Sequence, residues 1–156
     1  MPQTSVLDDY VTMLAGMCAY PGRIGVTDEI VVNLAAGIPF GRFVCRDSAG
    51  KAKLPTSAGE VTTTGSGISV RDESKEFNSA GWPDKSTMKI ARRGYYVVET
   101  ETAVVKEDAV LVRHTANGGN TVLGRARAGA DTGAAAYPNA RFVSESAAGL
   151  AIVEIM

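Results

Sequence analysis

The chain has 156 residues, of which 45% are hydrophobic, and its 16 Lys+Arg against 17 Asp+Glu leave a net charge of −1. That length suits one compact domain with a real core. The balanced charge argues against a protein that tracks nucleic acid, which would carry a basic patch or stripe, so Arg92-Arg93 and Arg125-Ala126-Arg127 read as solvated strand ends.

From Met1 to Tyr10 the chain carries Asp8 and Asp9 but no Lys or Arg, so it lacks the basic start of a secretory signal. No uninterrupted apolar run is long enough to span a bilayer. Synthesis in the cytoplasm, a soluble product and no membrane partner are the expectations. Ser5 followed by Asp8 resembles a capping box, and Val6, Tyr10, Met13, Leu14 and Met17 recur at helical spacing until Pro21-Gly22. Residues 1–22 are therefore expected to form either a short helix on the sheet or an extended arm that orders against a partner. Residues 23–156 form the body. Cys18 and Cys45 have no CxxC spacing and read as small apolar side chains in a reducing compartment, with a Cys18–Cys45 bridge as the alternative.

Beyond this point short β-branched runs alternate with Gly, Pro, Asn and Asp, the punctuation of an all-β domain. The predicted strands are Ile30–Leu34, Pro39–Cys45, Gly67–Arg71, Thr87–Arg92, Tyr95–Thr102, Ala109–His114, Thr121–Arg127, Ala140–Val143 and Leu150–Ile155. Ser57 to Ser66 and Asp72 to Ser86 read as surface loops. Trp82, the chain's only tryptophan, lies in the second of these. It is either a plug for a small hydrophobic cluster or an anchor in a protein interface. Arg93-Gly94 reads as a tight turn into Tyr95–Thr102. In that strand Tyr96, Val98 and Thr100 share a core face, with Glu99 and Glu101 outward. Asn117-Gly118 predicts a hairpin joining Ala109–His114 to Thr121–Arg127.

Catalytic chemistry finds little support. His114 is the one histidine, too few for a histidine zinc site, and no GxSxG elbow would pair it with a serine. It reads as a surface or strand-end residue. Gly65-Ser66-Gly67 lacks the continuation of a dinucleotide loop, and no GxxxxGK[ST] occurs. Asp28-Glu29 and Glu99-Thr100-Glu101 match no cation-binding pattern, so no metal or cofactor is expected. Ala128-Gly129-Ala130-Asp131 resembles one motif of the dUTPase-type hydrolases, but their other motifs are missing.

The order of the strands carries a resemblance. Ile38-Pro39-Phe40-Gly41-Arg42, Lys53-Leu54-Pro55 and Gly67-Ile68-Ser69-Val70-Arg71 resemble the front half of the structural cement proteins of tailed bacteriophages. Gly94-Tyr95-Tyr96-Val97-Val98-Glu99, Val105 to Arg113, Ala140-Arg141-Phe142 and Leu150 to Glu154 continue it. The chain departs at Glu107, where the family often has Gly. The resemblance implies a single β-barrel or jelly-roll-like body with long loops, a homodimer or homotrimer on the outer face of the virion. Its partner would be the phage major capsid protein, not nucleic acid. Tyr20, Pro21, Ile38, Pro39, Phe40 and Trp82 are the candidate contact residues, with Phe40 equally suited to the core. The rival reading is a phage tail or adhesin β-module that binds a sugar or receptor through aromatics such as Trp82 and Tyr95.

Overall fold

In the computed structural model residues 13–20, 25–63, 65–72 and 80–156 are described. The chain is all-β, as expected. Its elements are β1 (Val26–Val31), β2 (Ile38–Pro39), β3 (Phe43–Arg46), β4 (Ala52–Lys53), α1 (Ala58–Thr62), β5 (Gly65–Ser69) and β6 (Gly81–Trp82). These are followed by β7 (Thr87–Thr100), β8 (Ala109–Arg113), β9 (Ala126–Arg127), β10 (Ala134–Phe142) and β11 (Gly149–Ile155).

β7 organises the molecule. Its second half pairs with β11, and the order β7-β11-β10-β8-β9 returns to β7 through a parallel step from Ala126 to Thr100, closing a barrel. Its first half lies between β1 and β5, and β5 leads through β3 to β4. Val32, just past β1, bridges Ala52 of β4, so a second, smaller ring closes against the same strand. Closure removes most of the exposed edges that would otherwise invite pairing with other chains.

Each ring has its own core. Tyr96, Val98, Val110, Val112, Phe142 and Val153 lie in the first, and Ile30, Val32, Val44, Met88 and Ile90 in the second. Because side chains alternate along a strand, Phe43, Ile68 and Ala91 face the first core while Val44, Met88 and Ile90 face the second. The shared strands are thus buried on both faces.

The predicted turn at Arg93-Gly94 is absent; the chain runs straight through it as one strand. Arg93 pairs with Val26 in one sheet and Gly94 with Ile155 in the other. Gly94 adopts φ +116°, a conformation closed to most side chains, which lets β7 pass between sheets instead of folding back. Gly67 has a different constraint. A Cβ there would lie 1.9 Å from the carbonyl oxygen of Ala91, so only glycine lets β5 approach β7 this closely.

Other boundaries also shift. Pro39–Cys45 divides into β2 and β3. The Asn117 hairpin turn forms, with Asn117 and Asn120 exchanging backbone hydrogen bonds of 3.0 Å, but regular pairing beyond it is confined to β9. The presumed loop after Ser57 contains α1. Ser57 Oγ accepts from Glu60 N at 3.4 Å, while the Glu60 carboxylate accepts from Thr56 N at 2.6 Å, a reciprocal cap on a helix that buries Val61.

Glu107, the departure from the family's glycine, takes φ +74°, the region that glycine enters freely. The turn is kept with a strained residue, whose carboxylate pairs with Arg141 at 2.7 Å.

The expected helix at the start falls in part on residues 1–12, which lie outside the described residues. Met13 to Tyr20 are not helical. Gly16 N donates to Val97 O at 2.8 Å, Val97 N to Met17 O at 2.9 Å and Ala19 N to Tyr95 O at 2.8 Å. A free edge of β7 offered this segment backbone partners, and tertiary pairing overrode its helical spacing.

Candidate functional site

Of the six contact candidates, the structure brings four together. Ile38 pairs with Trp82 and Pro39 with Gly81 in the β2–β6 ribbon, and the Phe40 ring meets Trp82 edge-to-face at 5.9 Å. The side chains largely turn inward: Ile38 and Phe40 are 1% exposed and Trp82 4%. Trp82 Nε1 donates to Val70 O at 2.9 Å, and the Arg71 guanidinium lies 4.4 Å above the Phe40 ring. Phe40 is therefore core, and Trp82 plugs the second core. Half-buried Pro39 and the backbone of Gly37 and Gly81 rim a shallow groove of about 310 Å³ over this cluster.

Tyr20 stands apart, 43% exposed, with its ring edge-to-face on Tyr95 at 5.3 Å. Pro21 lies outside the described residues. The predicted strand Ile30–Leu34 overlaps only the end of β1 and left out Val26 to Glu29, which are all exposed and pair, among described residues, only with β7. Val26 and Val31 are 46% and 39% exposed. β-branched residues flanking Asp28-Glu29 were the available signal.

The carboxylates at the end of β7 do not face water as expected. The Glu101 side chain is 3% exposed and is gripped by Arg113, with Nη2 at 2.6 Å and Nε at 3.2 Å. Arg113 itself is fully buried and also reaches Asp131 at 2.6 Å. Arg127 Nη1 binds both acids, at 3.0 and 2.9 Å. Beside this group, Glu99 accepts from Arg42 at 2.6 Å and from Arg125 at 3.0 Å. The segment between β8 and β10, which includes β9, carries Arg125, Arg127 and Asp131 to these acids. Alternation along one strand gives no sign of partners brought by another.

The electrostatics follow from those contacts. Hydrogen bonds from Arg113, then from Gly133 N and Asn117, hold the Asp131 carboxyl well below the usual carboxylate range. Bonds to Glu101 and Asp131 raise Arg113 further, while burial lowers Arg42 despite Glu99. The two basic sequence clusters are also engaged, since Arg92 pairs with Asp28 at 3.7 Å.

Among the described residues, the groups that could carry bond chemistry stand apart from one another. His114 follows β8 and is 9% exposed, more enclosed than a surface residue, with Nδ1 2.9 Å from Thr115 Oγ1. Cys18 and Cys45 are both free, and burial pushes the Cys45 thiol up to about 11, far from thiolate chemistry. Among the described residues no three His, Cys, Asp or Glu side chains gather as a metal site, and no helix is long and apolar enough to cross a membrane.

Comparison with known proteins points one way. A family model described as "Structural cement protein (E217 gp24/Pam3 gp6)" matches residues 2–156. Among solved structures, a chain from "The capsid of Myoviridae Phage XM1" superposes with a TM-score of 0.75 at 22% identity, covering 92% of this chain and 89% of that one. At that identity the likeness is one of fold. A comparison with curated proteins gave no match.

Proposed function

The chain belongs to the structural cement protein family of bacteriophages, and from that membership we infer that it sits on the outer face of a phage head, bridging neighbouring major capsid protein subunits. The family match over residues 2–156 carries this reading. Its role is to strengthen the mature capsid, and the partner is the shell itself.

Physical reasoning supplies the mechanism. A homodimer or homotrimer touching several shell subunits makes its later contacts intramolecular, which raises avidity by roughly 10²–10⁴. A protein that binds the assembled lattice but not its separated subunits shifts the equilibrium toward the lattice. Two closed rings sharing β7 give such a clamp a rigid body.

The contacts assigned to the neighbour are Tyr20, Pro21 and the residues before them, with the Pro39 rim as a second patch. Tyr20 has the exposure such a contact needs. Gly16 to Ala19 are already bonded to β7, so the truncation that tests the arm is confined to residues 1–12. The sugar-binding alternative is weakened because Trp82, its leading aromatic, is buried.

The test is co-sedimentation with expanded shells and with unassembled capsid subunits. The full chain is expected to pellet with shells and to ignore free subunits. A chain lacking residues 1–12 is expected to keep its melting temperature but to bind shells at least about tenfold more weakly, as loss of one multivalent contact implies. Binding to free subunits equal to that on shells counts against the lattice clamp, and full retention of the truncated chain counts against the arm.

A further inference from the structure

Besides the arm, the end of the barrel carries a surplus charge at a cavity. A pocket of about 440 Å³ opens there, lined by Glu99, Thr100, Glu101, Asn120, Arg125 and Leu150 among others. The inner group is balanced, with Arg113 and Arg127 facing Glu101 and Asp131. The outer group is not. Arg42 Nη2 and Arg125 Nε converge on the same oxygen, Glu99 Oε2, so two guanidiniums share one carboxylate.

Arg42 is committed inward: its other terminal nitrogen donates to Leu123 O at 3.0 Å, and its side chain is 7% exposed. Arg125 is 36% exposed, and only its Nε is used among the described residues. The terminal nitrogens of a guanidinium form a second planar fork that matches a carboxylate bidentately. Arg125 thus has one fork edge fixed by Glu99 and the other edge unspent. Asn120, whose backbone is held in the hairpin turn, adds an amide side chain, and Leu150 an apolar wall for a methylene stem.

We propose that this pocket receives an Asp or Glu side chain of the capsid shell, seated on the outer fork of Arg125. The proposal rests on the shell-binding reading and adds a specific contact to it. The Arg42–Glu99 pair acts as a brace. It fixes the Arg125 guanidinium before binding, so little side-chain freedom remains to be lost on contact.

The experiment titrates purified protein onto expanded shells lacking it, using the wild type, Arg125→Lys, Arg125→Glu and Asn120→Trp. Asn120→Trp fills the pocket while leaving every ion pair intact, which guards against a folding defect caused by a second carboxylate beside Glu99. Truncating one partner of a desolvated charge pair has a large effect on dissociation. Arg125→Lys is expected to weaken binding about tenfold, Arg125→Glu about a hundredfold, and Asn120→Trp at least about tenfold, each with a thermal melt close to wild type. Wild-type affinity for both Arg125→Glu and Asn120→Trp overturns the pocket and leaves the shell-binding reading standing. If the wild type itself fails to bind shells, both fall.

Discussion

Replacing Arg113 with Met is expected to destabilise the fold by about 3–5 kcal/mol, because removing one partner of a buried ion pair strands the other in a poor solvent for charge. Arg113 is fully buried and makes two bonds to Glu101 and one to Asp131. Arg127 still touches both acids in the variant, through one nitrogen. For a chain of this size each kcal/mol moves the melting temperature by about 2–4 °C, so a drop near 10 °C is anticipated in a thermal melt. A shift of only a degree or two would mean that the cluster is solvated in solution.

The same substitution alters the acid response, and the sign is fixed by Asp131. Its carboxyl titrates lower in the folded chain than in the unfolded one. The stability it contributes is fully present above the unfolded value of about 3.9 and is lost progressively as the pH falls toward the depressed folded value. Arg113→Met removes the first cause of that depression, so the fall of melting temperature below about pH 4 becomes shallower.

Trp82→Ala is expected to cost about 3–5 kcal/mol, the range for emptying a tryptophan site in a packed core. It also leaves Val70 O without the indole donor and Phe40 without its edge-to-face partner. Urea unfolding of the variant measures the loss. Shell binding well below its melting temperature then checks that the core is the only role of this residue. As a core plug, Trp82 can be removed with affinity kept within a few-fold. An interface anchor would lose at least 2 kcal/mol of binding.

How much was legible follows from which forces are local. The Tyr96, Val98 and Thr100 face was readable because alternation places Glu99 and Glu101 on the opposite side, although Val97 on that side is buried as well. The Asn117-Gly118 turn was readable because turn chemistry is local. Ser57 and Glu60 carried a readable cap that the Ser/Thr-rich composition around them obscured. The course of β7 through Gly94 was not readable, since a glycine that permits a turn also permits a strand to change sheets. Nor was the segment from Gly16 to Ala19, whose helical spacing yielded to a distant edge.

The contact surface divides in the same way. Membership of the family was legible in the order of ordinary strand motifs, and Trp82 and Phe40 drew notice as large aromatics. Their inward orientation depended on β2 and β6 meeting across more than forty residues of chain. Arg125 and Arg127 read as solvated ends because their acids, Glu99 and Glu101, lie on another strand. One-dimensional charge patterning does not connect them.

The central claim is that this protein clamps a mature phage shell, and heating intact particles while monitoring DNA release tests it most directly. Particles lacking the protein are expected to lose their DNA at a lower temperature than complete ones, and purified protein added back is expected to restore the difference. Identical release temperatures with and without the protein, at full occupancy of the shell, would contradict the account.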